Sequence, residues 1–211
     1  MRQSVAYIAG IREPEKEEPS MDRVRREFTT RTLVMIPVAI AINIAVGQLV
    51  LAVKVPLYLD SIGTVLVGVL VGPWAGALTG FLANFVWTLT GLFPEAVAWA
   101  GVAAIIGALA GAFRSGDWMR VWWKSIIAGL ITGVIAAILS APIAAYVFGG
   151  VTGSGTDALV AIFRATGLDM LGANMAQGVV SDPLDKAATF FIVWGILRAL
   201  PSRLQSRFSV G

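Results

Sequence analysis

Asp182, Asp185 and Lys186 fall within five positions of one another, followed by 11 uncharged residues before Arg198. An acid and an amine side by side in so apolar a setting have three uses: holding an ionic ligand, relaying a proton, or locking helices together as an ion pair. Asp60, Thr64, Asn84, Thr88, Asn174 and Gln177 lie at a comparable depth in their own apolar segments, as does Gln48. Polar groups in such segments are costly unless they face a cavity or one another, so each is either a pocket residue or an interhelical hydrogen-bonding residue. Tyr58, Trp87, Phe93 and Trp99 share this level, as a stacking platform or as interfacial anchors. Beside carboxylates, the ring faces favour a flat heteroaromatic ligand with an amine or cationic centre.

Other chemistry lacks its residues. The chain has no Cys and no His, which removes thiol chemistry, haem ligation and the usual zinc sites, and neither a metal nor a cofactor is expected. There is no G-x-x-x-x-G-K-[ST] phosphate loop to drive an ATP-powered pump. No nucleophile and base stand together, so the reading is a non-enzyme with no catalytic residue. The net charge of +3 does not call for nucleic acid, because in an apolar chain the sign of each loop matters more than the sum.

What must position these residues is a bundle of membrane helices. The 211 residues are 57% hydrophobic and 14% charged, with a mean hydropathy of +0.79, where soluble domains are nearer 25% charged. The uncharged run 32–53 predicts a first span, with Pro37 tolerated inside it. Between Asp60 and Glu95 lie 34 uncharged residues, enough for two short helices, 61–71 and 74–91, broken at Gly72-Pro73. Further spans are expected at 95–113 and 125–148. The segment 149–181, with its Gly-rich start, predicts a long helical loop, and a last helix covers 183–200. The expected fold is all-α and integral to the membrane, six helices over 32–200, with a polar cytosolic tail at 1–31 and a basic one at 201–211.

Charge placement gives the orientation. With both termini in the cytosol, the inner segments hold 13 of the 16 basic residues, leaving Lys54, Arg164 and Lys186 outside, as the positive-inside rule requires. Trp118, Trp122 and Trp123 beside Arg120 and Lys124 suit an inner interfacial belt. Small residues recur every fourth position at Gly68, Gly72, Gly76 and Gly80, at Ala100, Ala104, Ala108 and Ala112, and at Gly129, Gly133, Ala137 and Ala141, a spacing that lets helices approach closely. The pair Ala41 and Ala45 in the first span serves either internal packing or a partner helix.

Three stretches of the chain, AINIAVGQLV, VPLYLDSIGTVLVGVLVGPWAGALTGFLAN and DPLDKAATFFIVWGILRALPSRL, resemble the substrate-binding S-components of energy-coupling factor transporters. The likeness covers about 32–207. It implies six helices with cytosolic termini around a pocket near the outer face for a water-soluble vitamin or cofactor precursor, capped by the loop 54–60 between the first two helices. It also implies that Ala41 and Ala45 contact a separate transmembrane coupling subunit driven by two ATPase subunits, toward which the S-component topples in the bilayer. The chain departs from the pattern in its short alanine motif, with Gly47 only two residues after Ala45, and in its long 149–181 segment.

The expectation is therefore a multi-pass cell-membrane protein that captures a small ligand at Tyr58, Asp60, Thr64, Asn84, Trp87, Thr88, Trp99, Asn174, Gln177, Asp182, Asp185 and Lys186. The alternatives are a solitary proton-coupled carrier relaying through Asp185 and Lys186, and a membrane scaffold with no pocket.

Overall fold

The computed structural model describes residues 20–200, and within them every regular element is helical. The outer parts of the two expected tails, 1–19 and 201–211, lie outside the described residues. A short helix α1 (Ser20–Glu27) leads into α2 (Thr30–Val53), which Thr29 caps by accepting from the Thr32 N–H. Next come α3 (Ile62–Leu70) and α4 (Pro73–Leu89), then a 3-10 turn over Pro94–Trp99 that runs into α5 (Ala100–Ala112). The chain closes with α6 (Trp122–Val147), α7 (Asp157–Ala165) and α8 (Met170–Ala199).

Three of these helical stretches, Thr30–Val53, Pro94–Ala112 and Trp122–Val147, are long and apolar enough to cross a membrane. At 1.5 Å per residue α3 is only about 13 Å long and α4 about 25 Å, and they are separated at Gly72-Pro73. Proline suits the first position of α4, where its missing N–H is no loss. Gly72 has φ +150°, and the Glu27 carboxylate fills the place a Cβ would take.

The last helix corrects the expectation of a start at 183. Its 30 residues begin at Met170, where the Asp169 carboxylate caps the helix by accepting from the Gly172 N–H at 2.8 Å. Pro183 sits inside the helix rather than at its head. Proline and three ionisable residues resemble a helix boundary when read as a string; in the fold they are buried against α6 and the 54–61 loop, and the helix runs through them. Of the expected loop 149–181, residues 170–181 belong to this last helix, and the remainder holds the short helix α7.

The core unites α3, α5, α6 and α8 through Ile62, Val65, Val69, Val102, Ile106, Ala128, Ala136, Phe190 and Val193. Small residues set the spacing. Gly129 and Gly133 lie so close to α8 that a Cβ on either would strike the backbone at Lys186 or Pro183, and Ala137 approaches Gly178. Gly76 and Gly80 of α4 meet Gly107 and Ala103 of α5. The contact row on α5 is thus 103, 107 and 111, not the row through Ala100, Ala104, Ala108 and Ala112, whose last member is exposed. Ala41 and Ala45 are exposed on α2, away from the bundle.

Candidate functional site

At the end of the bundle where α2 gives way to α3, Asp185 organises a polar cluster. The side chain is fully buried; its Oδ1 accepts from the backbone N–H groups of Tyr58 at 2.8 Å and Leu59 at 2.7 Å, and its Oδ2 accepts from Lys186 Nζ at 2.6 Å. The same ammonium donates to Ser61 Oγ at 2.9 Å and reaches Asp60 Oδ1 at 3.5 Å. Three donors meet three acceptors, which satisfies the lysine. Leu59 adopts φ +50° and Lys54 φ +56°, left-handed values uncommon outside glycine, so the 54–61 loop is twisted where Asp185 grips it.

A second loop closes over the first. Tyr58 Oη lies 3.1 Å from Thr156 Oγ1 and accepts from Gln177 Nε2 at 3.3 Å. Thr156 contacts Ser154 at 2.6 Å, and Lys54 Nζ donates to the Gly153 carbonyl. Asp157 closes the turn by accepting from the N–H groups of Thr152 and Gly153. Burial, together with the nearby Asp182 carboxylate, holds the Tyr58 phenol well above its usual pKa, so it stays protonated. On the α2 side Asn43 is buried, donating to Thr64 Oγ1 at 2.8 Å and accepting from the Gly63 N–H at 2.7 Å.

Between these loops and the helices lies a cavity of about 120 Å³, about four waters at roughly 30 Å³ of liquid each. It is smaller than the roughly 300–1,000 Å³ of most small-molecule sites, so it suits a small ligand. One wall is aromatic. Trp87 and Phe93 have ring centroids 5.3 Å apart, Phe93 and Trp99 stack at 6.4 Å, and Trp99 and Phe148 stack at 4.9 Å. The polar lining comes from Asp60, Ser61, Asp182 and Lys186, with Asn174 and Gln177 from the early turns of α8.

Several lining groups have no partner of their own. The Trp87 indole N–H is buried without an acceptor. Neither the Asp182 carboxylate, 5% exposed, nor the Asn84 carboxamide, 7% exposed, makes a hydrogen bond to another described residue.

Ten of the twelve residues singled out in the sequence line this cavity: Tyr58, Asp60, Thr64, Asn84, Trp87, Trp99, Asn174, Gln177, Asp182 and Lys186. Asp185 stands behind the wall and positions it. Thr88 is a correction, for its hydroxyl accepts from the Val97 N–H at 2.8 Å and anchors the 3-10 turn. Trp87 stays in the cavity wall, while Thr88, about 100° further round α4, meets the turn. Gln48 likewise donates to the Leu92 carbonyl and lines a neighbouring depression that shares Leu51, Phe93 and Thr152 with the cavity. Reading the sequence passed over Asn43, Ser61, Ser154 and Thr156. Asn43 carried a signal, as one of the two amides, with Gln48, in the first apolar run; the three hydroxyls carried none.

No group of three or more acidic side chains among the described residues is arranged to hold a metal ion. Comparison of the chain with protein-family models, with curated proteins and with solved structures finds no match in any of the three.

Proposed function

We propose that the chain is a substrate-capture subunit of the energy-coupling factor type, an S-component that takes a small water-soluble vitamin or cofactor precursor from outside the cell and delivers it to an ATP-driven module. The observation that supports this reading is the cavity itself: Trp87, Phe93 and Trp99 line it together with Asp182 and Asn84, which make no hydrogen bond to another described residue, under two loops that hydrogen-bond to each other. Surplus polar groups beside enclosed space have a use when a ligand completes them. In this reading α2, α3, α4, the 94–112 stretch, α6 and α8 are six spans in the cell membrane, both termini are cytosolic, and the 54–61 loop caps the ligand. The short α3 and α4 mismatch a hydrocarbon core of about 30 Å, which favours tilt and local thinning and so eases reorientation.

The exposed Ala41 and Ala45 supply a small-residue face for the transmembrane coupling subunit, and two ATPase subunits do the work while this chain performs no catalysis. Uptake by cells is expected to need the ATPase module, and Ala41→Trp to leave ligand binding within twofold while reducing uptake more than tenfold. Uptake that persists without that module and collapses with the proton gradient would select the solitary carrier. Normal assembly and uptake by Ala41→Trp would remove the coupling role.

A further inference from the structure

The cavity's charge is unbalanced, and, resting on the capture reading above, this imbalance names the ligand's chemistry. Asp60, Asp182 and Asp185 surround one ammonium, that of Lys186, whose contacts go to Asp185, Ser61 and Asp60. Asp185 is further satisfied by the Tyr58 and Leu59 N–H groups. Asp182 remains, 95% buried, facing the cavity with no hydrogen bond. A carboxylate withdrawn from water is costly unless something pairs with it.

Trp87, Phe93 and Trp99 line the same cavity, and aromatic quadrupoles attract a cation at the ring face. Carboxylate and rings therefore discriminate in the same direction. A cavity of about 120 Å³ limits the flat part to a single ring.

We propose that the ligand is a planar heteroaromatic cation, with a protonated amine or a quaternised ring nitrogen at Asp182 and its ring among Trp87, Phe93 and Trp99. Anionic ligands are disfavoured by the same contacts.

Three pyridines of nearly one shape test the sign of the charge: 1-methylnicotinamide (cationic), nicotinamide (neutral) and nicotinate (anionic), titrated by saturation-transfer NMR against the full chain in lipid nanodiscs. The cation is expected to bind at least tenfold more tightly than the anion. Asp182→Asn should abolish that preference. The comparison on the wild-type chain stands even if a variant fails to fold. Nicotinate binding as tightly as 1-methylnicotinamide, or release of an anionic or non-aromatic molecule when the purified chain is denatured, would overturn the charge assignment and leave capture intact. Saturation by none of the three, with no molecule released, would overturn capture itself.

Discussion

Asp185 and Glu27 perform the same elementary task at opposite ends of the bundle, and the difference between them separates a site from a seal. Each is a buried carboxylate that holds a break between helices. Asp185 accepts from two backbone N–H groups of the 54–61 loop; Glu27 accepts from the Ala75 N–H at 2.8 Å, at the start of α4, where the helix dipole favours an anion. Beside Glu27, Arg114 donates to the Val71 carbonyl at 2.7 Å and offsets its charge. No described cavity opens there. Around Asp185 the same economy leaves Asp182 and Asn84 over, beside enclosed space. A buried acid alone is therefore no mark of a site; in the capture reading the mark is unpartnered polarity beside a void.

The contrast is open to experiment. Its largest consequence is at Lys186, because Lys186→Ala leaves the Asp185, Asp60 and Asp182 carboxylates without their counter-charge. Removing one partner of a buried pair costs about 3–5 kcal/mol, so thermal unfolding in detergent should drop sharply and ligand binding vanish. Wild-type stability and binding in this variant would dissolve the cluster as described. Glu27→Ala should cost less, about 1–3 kcal/mol for the Ala75 N–H left unpaired, and should leave ligand affinity within twofold. A large loss of affinity would mean that the two ends are coupled rather than independent. Thr88→Val, which removes a hydrogen bond off the cavity, should cost under about 1 kcal/mol with unchanged binding, and a tenfold loss would return Thr88 to the site.

The smallest effect is a pH slope. Burial raises the Glu27 pKa above its ordinary value of 4.5 despite the N–H groups of Ala75 and Trp74 and the Arg114 charge. The folded chain then binds that proton more tightly than the unfolded chain does. The resulting stabilisation is complete below pH 4.5 and fades as the pH climbs through the raised value. Glu27→Gln should flatten the dependence of unfolding temperature on pH over that window, with little change at its acid end. An unaltered slope would show that Glu27 does not titrate there.

Much of this arrangement was legible in the chain because its signals are local. An uncharged run of membrane length announces Thr30–Val53, and Gly72-Pro73 announces the break before α4. Polar residues in apolar stretches announced most of the cavity lining, since their burial demands a reason. What was missed depends on tertiary context. Pro183 and its charged neighbours look like a boundary unless α6 and the 54–61 loop are there to bury them. Which face of α4 carries Thr88, and which row of α5 meets Gly76, differ by single residues that no periodicity resolves. Ser154 and Thr156 join the site only because a distant loop folds back onto Tyr58.

The two left-handed residues of the 54–61 loop, Lys54 and Leu59, bear on how that cover can move. Backbone held in such a region carries roughly 1–3 kcal/mol per residue; Lys54 does so as the cap of α2, whereas at Leu59 the Asp185 carboxylate holds the turn through the Tyr58 and Leu59 N–H groups. Whatever draws Asp185 away would release both at once, so the flap behaves as a loaded spring rather than a slack hinge.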